Sequence, residues 1–146
     1  MAPDGLDPIT LRLVVDSAAL TLIWLVQLVI YPAFLHFQRA GFRVWHQAYT
    51  KQVTLVVMPI MLGQLAVYAY LLLSDQRWQL VVNMALILLA WAITFFRAVP
   101  LHGLLDKEED HLPLSAQLVS VNWWRTIVWS MVWMVSILEG LDVFPE

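Results

Sequence analysis

The sequence contains no cysteine, which excludes disulfides, thiolate metal sites and cysteine nucleophiles. Charge is scarce as well. Only 13% of the 146 residues are Asp, Glu, Lys or Arg, about half the share in soluble domains. The charges sum to −3 and form no basic stripe, so nucleic acid is not expected as a partner. No HExxH or HxH spacing occurs among the four histidines, so none of the short metal-binding signatures is present. Internal repeats are missing too.

What fills the chain is apolar. Hydrophobic residues make up 61%, and the mean hydropathy is +0.73. A soluble chain of this composition could not cover its surface with polar groups. The sequence therefore predicts an integral membrane protein, and its length suits a single transmembrane domain over 1–146.

Four apolar runs stand out, at approximately 11–35, 53–73, 79–97 and 118–138. A helix needs about 20 residues to cross the hydrocarbon core. Lipid offers no partners to backbone N–H and C=O groups, so each run must be a helix unless it alternates like a barrel strand, and none does. The short link from Ser74 to Trp78 makes the second and third helices antiparallel neighbours. Between the first two, Phe37, Ala40, Val44 and Ala48 line up opposite Arg39, Arg43 and Gln47, the pattern of a helix lying in the interface. The prediction is an all-α, four-helix antiparallel transmembrane bundle with a short interfacial segment between helices 1 and 2. Pro59 is expected to kink the second helix, with Gly63 allowing close packing one turn on.

Topology follows from the basic residues. Arg39, Arg43, Lys51, Arg97, Lys107 and Arg125 fall on one side of such a bundle, and only Arg12 and Arg77 on the other. Six against two is a positive-inside bias. The first and third loops are expected in the cytoplasm, and both termini outside it, in a bacterial inner membrane. Met1 to Thr10 holds Asp4 and Asp7 but no Lys or Arg, so the first run is expected to stay as a span rather than serve as a cleaved signal.

The chain's most unusual stretch is Asn122-Trp123-Trp124-Arg125-Thr126, at the start of the last run. Asn122, Thr126, Trp129 and Trp133 share a helical face, with Arg125 beside them. Arg and Trp also gather at membrane interfaces as plain anchors. The second reading is a polar site in which Asn122, Trp124 and Arg125, with Tyr31 from the first helix, bind a substrate. All four histidines fall toward the same end. His46 and His102 each flank a helix end and are the candidates for acid–base catalysis. His36, His46 and His102 are the weak candidates for a metal or haem. Asp16, one or two turns into the first helix, is an intramembrane carboxylate with Arg12 one turn earlier.

Pro100-x-His102-x-x-Leu105 followed by Asn122-Trp123-x-Arg125 resembles a pattern in small four-helix bacterial membrane proteins. These are distantly similar to the anthrone-oxygenase-like membrane family, in which a proline-plus-polar motif and a Trp/Asn/Arg motif occupy comparable places. Tyr31-Pro32 and the surroundings of His46 fit the same pattern. The position matching His102 is often Asn in that family, a departure that bears on any metal role. The resemblance implies oxygenation of a flat aromatic substrate at the polar end of the bundle by His46, His102, Asn122, Trp124 and Arg125.

Three functional readings follow. One is a small membrane enzyme, or a binder of a flat hydrophobic small molecule. Another is an accessory subunit whose tryptophan-rich faces pack on other membrane subunits or on a second copy. The third, a transporter, is disfavoured because four helices without repeats offer little machinery for alternating access. The lipid bilayer is a partner in all of them.

Overall fold

Asp7 starts the first helix. Its carboxylate accepts hydrogen bonds from the Ile9 and Thr10 backbone N–H groups and from the Thr10 hydroxyl. These bonds hold its carboxyl below the usual carboxylate range, led by the Thr10 side chain. Pro8 fills the first helical position, where a missing N–H costs nothing. The computed structural model describes residues 7–141. It contains four helices: α1 (Pro8–Phe34), α2 (Arg39–Ser74), α3 (Trp78–Leu105) and α4 (Leu112–Gly140). No strand is present among the described residues.

The three connections are short, so neighbouring helices run antiparallel. α1 packs on α2 and α4, and α3 packs on the same two, which places α1 and α3 on one diagonal. One end of the bundle carries the Asp75–Arg77 turn. The other carries the loop from Asp106 to His111.

α1, α2 and α3 are long and apolar enough to cross a membrane, and the protein is a multi-pass membrane bundle. The fourth expected span differs in character. α4 has 29 residues, about 43 Å at 1.5 Å per residue, so length is not its limit. Its inner face buries Ser115, Asn122, Arg125, Thr126, Ser136 and Glu139, and these lower its hydropathy. Its outer face shows Trp123, Trp124, Ile127, Met131 and Met134.

Among the described residues, large apolar side chains crowd the outer surface, while the interior mixes polar groups with apolar ones such as Phe34, Ile87 and Leu118. Lipid is as apolar as leucine, so burying leucine inside gains little here. Close packing and interhelical hydrogen bonds, each worth about 0.6 kcal/mol, hold the helices together.

Two wide π-helical turns shape the bundle, at Val26–Ile30 in α1 and Thr94–Ala98 in α3. Each is followed by one residue and then a proline, Pro32 and Pro100. A proline in a helix lacks the N–H and clashes with the carbonyl four residues back. A wider turn absorbs that clash and lets the helix continue. This is why α3 runs on to Leu105 rather than ending near Arg97. α4 starts at Leu112, earlier than expected, because Pro113 sits in its first turn.

The stretch expected as an interfacial segment is instead the beginning of α2. The break lies at Ala40 and Gly41, where Gly41 adopts φ 90°, a left-handed conformation that favours glycine. Beyond it, Phe42 and His46 are buried inside the bundle. Pro59 leaves the backbone of α2 helical; Ala40 and Gly41 are its only non-helical residues.

Candidate functional site

The two wide turns position two polar side chains. Tyr31 follows the first directly, and His102 lies four residues beyond the second. The Tyr31 hydroxyl meets His102 Nε2 at 3.0 Å. His102 Nδ1 meets His46 Nε2 at 2.9 Å, and His46 Nδ1 meets Asp106 Oδ1 at 2.7 Å. Four groups from α1, α3, α2 and the loop thus form one hydrogen-bonded chain.

Its inner members lie inside the bundle, with His102 half-buried at the cavity wall. Tyr31 and His46 are buried, whereas the Asp106 side chain is 31% exposed and opens the chain to water. Aromatic rings hold it in place. Phe34 stands edge-on to His46, Tyr49 and His102, and Phe42 stacks on both His46 and His111. His111 in turn shares a 3.1 Å hydrogen bond with the Phe34 carbonyl.

Arg125 lies near the middle of α4, only 6% exposed. Its Nη1 donates to Asn122 Oδ1 at 2.9 Å, and Asn122 Nδ2 donates to Gln27 Oε1 at 2.9 Å. The guanidinium also sits over the Trp129 ring at 5.4 Å. No carboxylate pairs with it among the described residues, and its Nε is buried without a partner. A charge taken out of water this completely is normally paired.

Beside it is a cavity of about 320 Å³, within the range of about 300–1,000 Å³ usual for ligand sites. Ala19, Ile23 and Val26 of α1, Val53, Val57 and Met61 of α2, and Phe95, Ala98 and Val99 of α3 make its apolar wall. Tyr31, His102 and Arg125 are its polar groups, with Tyr49 and three threonines. Thr54, Phe95 and Val99 are exposed on the bundle surface, so the cavity reaches the lipid side between α2 and α3.

A second polar network crosses the bundle nearer the Arg77 end. Asp16 accepts from Gln64 Nε2 at 2.7 Å, Tyr68 Oη at 2.7 Å and Ser136 Oγ at 2.6 Å. Asn83 donates to Tyr68, Ser136 and the Val132 carbonyl, and Trp129 donates to Gln64. Arg12 does not pair with Asp16 along the helix surface. It turns to Glu139 at 2.6 Å, and Arg77 reaches the same carboxylate at 3.0 Å.

Of the residues singled out from the sequence, Tyr31, His46, His102, Asn122 and Arg125 fall in or beside one assembly. Trp124 does not: it is 66% exposed and faces outward. His36 is exposed just beyond α1 and joins neither His46 nor His102. Among the described residues, no group of three or more His, Asp or Glu side chains is placed to hold a metal ion. Sequence reasoning missed Asp106 and the roles of Gln27 and Gln64. Asp106 had a signal, since it lies one helical turn after His102. Compared with known proteins, the chain matches no family model, no curated protein and no solved structure.

Proposed function

We propose that this bundle takes a hydrophobic small molecule from the bilayer and exchanges a proton with its polar end, as a small membrane enzyme or ligand-binding protein. The observation that carries the reading is Arg125, a buried guanidinium at the wall of an apolar cavity with no carboxylate partner among the described residues. A buried charge without a counter-charge is costly, and an oxygen of a bound ligand would offset part of that cost. The cavity's access from the lipid side suits a molecule dissolved in the membrane.

The chain from Tyr31 to Asp106 is the route for the proton. Each group takes up one proton as it passes another on, so charge moves from cavity to water without any side chain travelling. The basic residues around the first and third loops favour a cytoplasmic position for Asp106. A flat aromatic ligand agrees with the resemblance to anthrone-oxygenase-like membrane proteins, which remains part of the proposal.

The test is titration of a naphthoquinone into the protein in mild detergent, read as quenching of tryptophan fluorescence. Trp129 lines the cavity, so binding there gives saturable quenching. Arg125→Met is expected to weaken binding at least about ten-fold, through loss of a buried hydrogen bond to the ligand carbonyl. Linear, non-saturable quenching in the unaltered protein would overturn the reading.

A further inference from the structure

Among the described residues, the buried Asp, Glu, Lys and Arg side chains are Arg12, Asp16, Arg125 and Glu139. The fold itself satisfies all but one of them. Arg12 pairs with Glu139, and Asp16 accepts from Gln64, Tyr68 and Ser136. Arg125 is the exception. Its Nη1 donates to the uncharged amide of Asn122, and Trp129 lies against the guanidinium, but no opposite charge meets it. Nε is closed in by packing. Nη2 is not closed in and makes no hydrogen bond among the described residues, so it is the atom of the fork left to a ligand.

Arg125 also sets the sign of the cavity. Its other polar lining groups are Tyr31, Tyr49, His102 and three threonines, and no Asp or Glu lines it among the described residues. The lining group that stays charged at every working pH is therefore a cation. The fold has already taken this guanidinium out of water, so a ligand need not desolvate it. An anionic oxygen adds the attraction of two full charges to the hydrogen bond, and apolar surroundings strengthen that attraction.

Depth separates two sources of such an oxygen. Arg125 lies 13 positions beyond Leu112, the first residue of α4, about 20 Å along the axis. The helix is about 13 Å longer than a hydrocarbon core of about 30 Å, so Arg125 stays below the headgroups from either end. A lipid phosphate remains outside that core. A free acid with an apolar body can enter it.

We infer that the site prefers hydrophobic carboxylic acids, with the carboxylate on Arg125 and the apolar body in the cavity. The inference rests on the binding reading above and adds the charge and chemical class of the ligand. Such an acid crosses lipid in its neutral form, because a bare carboxylate there is costly. At the site its O–H bond breaks, the carboxylate stays with Arg125, and the proton enters the hydrogen-bonded chain that ends at Asp106.

The experiment compares naphthoic acid, a carboxylate in neutral buffer, with naphthamide, the same rings ending in an uncharged amide. Both are titrated in mild detergent by quenching of tryptophan fluorescence. They partition differently into micelles, so the quantity read is the ratio of their affinities in the unaltered protein against the same ratio in a variant. The preference for naphthoate is expected to fall at least about ten-fold in Arg125→Met. Arg125→Gln keeps an N–H donor and removes only the charge, and the same fall is expected. It also serves alone if the Met variant does not fold.

A preference retained in either variant overturns the inference. Phosphatidylglycerol added to the micelles is expected to leave bound naphthamide in place, as phosphatidylcholine does. Displacement by phosphatidylglycerol alone would identify the anion as a lipid headgroup and overturn the assignment to a free acid. In each of these cases saturable naphthamide binding leaves the binding reading standing. If neither compound binds saturably, the reading fails and the inference falls with it.

Discussion

At the scale of single residues, charges in the interior divide into two kinds. Arg12 and Glu139 are a buried pair at the Arg77 end, and nothing in the proposed chemistry uses them. Breaking such a pair strands a buried charge and costs about 3–5 kcal/mol, whereas replacing both partners with apolar groups is often neutral. Glu139→Leu is therefore expected to lower stability by about that amount, and Arg12→Met with Glu139→Leu to recover most of it. Unfolding in mixed micelles measures both; equal stability of the single and double variants would contradict the assignment. Arg125 is the other kind, a buried charge without a counter-charge. Arg125→Met is expected to leave the empty protein as stable as before, or more stable by up to about 4 kcal/mol, while binding is lost. A large drop in stability would make Arg125 a structural residue. Arg125→Lys is expected to fail in binding as well, because an ammonium cannot hold Asn122 and a ligand oxygen in the geometry of a planar fork.

At the scale of elements, the paired wide turns in α1 and α3 are the device that aims the site. Without Pro32 or Pro100 the local reason for a wide turn disappears, and a regular helix would rotate Tyr31 or His102 out of register. Pro100→Ala is expected to stabilise α3, since a proline inside a helix costs about 3 kcal/mol. The same change is expected to weaken binding by about ten-fold or more, because His102 and Tyr31 no longer meet. Thermal melting and ligand titration on one sample check the two effects together. A stable variant with unchanged affinity would show that the wide turn is not what positions His102. Gly41 works at the same scale. Its left-handed backbone turns the chain between α1 and the rest of α2, so that Phe42 and His46 enter the bundle instead of resting on its surface.

At the scale of the whole molecule, the expected outcome is a topology in which Ser74 and Glu108 lie on opposite sides of the membrane. Both are exposed, and the chain has no cysteine of its own. Single cysteines at these positions can be labelled in sealed vesicles with an impermeant maleimide. Ser74 is expected to react only from the outer side and Glu108 only from the cytoplasmic side. Labelling of both from one side would remove the antiparallel crossing and with it the opening of Asp106 to the cytoplasm.

The sequence by itself determined the medium and the class of fold. Apolar runs of spanning length admit only helices in lipid, and the link at Ser74 to Trp78 admits only an antiparallel pair. It also marked Tyr31, His46, His102, Asn122 and Arg125 as unusual, because polar groups in such runs are costly to keep. It did not separate them from Trp124, since helical spacing gives a face only once the neighbouring helices are known. Helix ends were misjudged for a local reason. Pro100 reads as a stop, yet a wide turn before it lets α3 continue and carries His102 into the interior. Tertiary structure alone decided which partner each group meets. Arg12 crosses to Glu139 rather than to Asp16 four residues away, and His46 reaches Asp106 across sixty positions. Such pairings depend on the rotation and depth of four helices about a common axis, and no single helix encodes those in its own spacing.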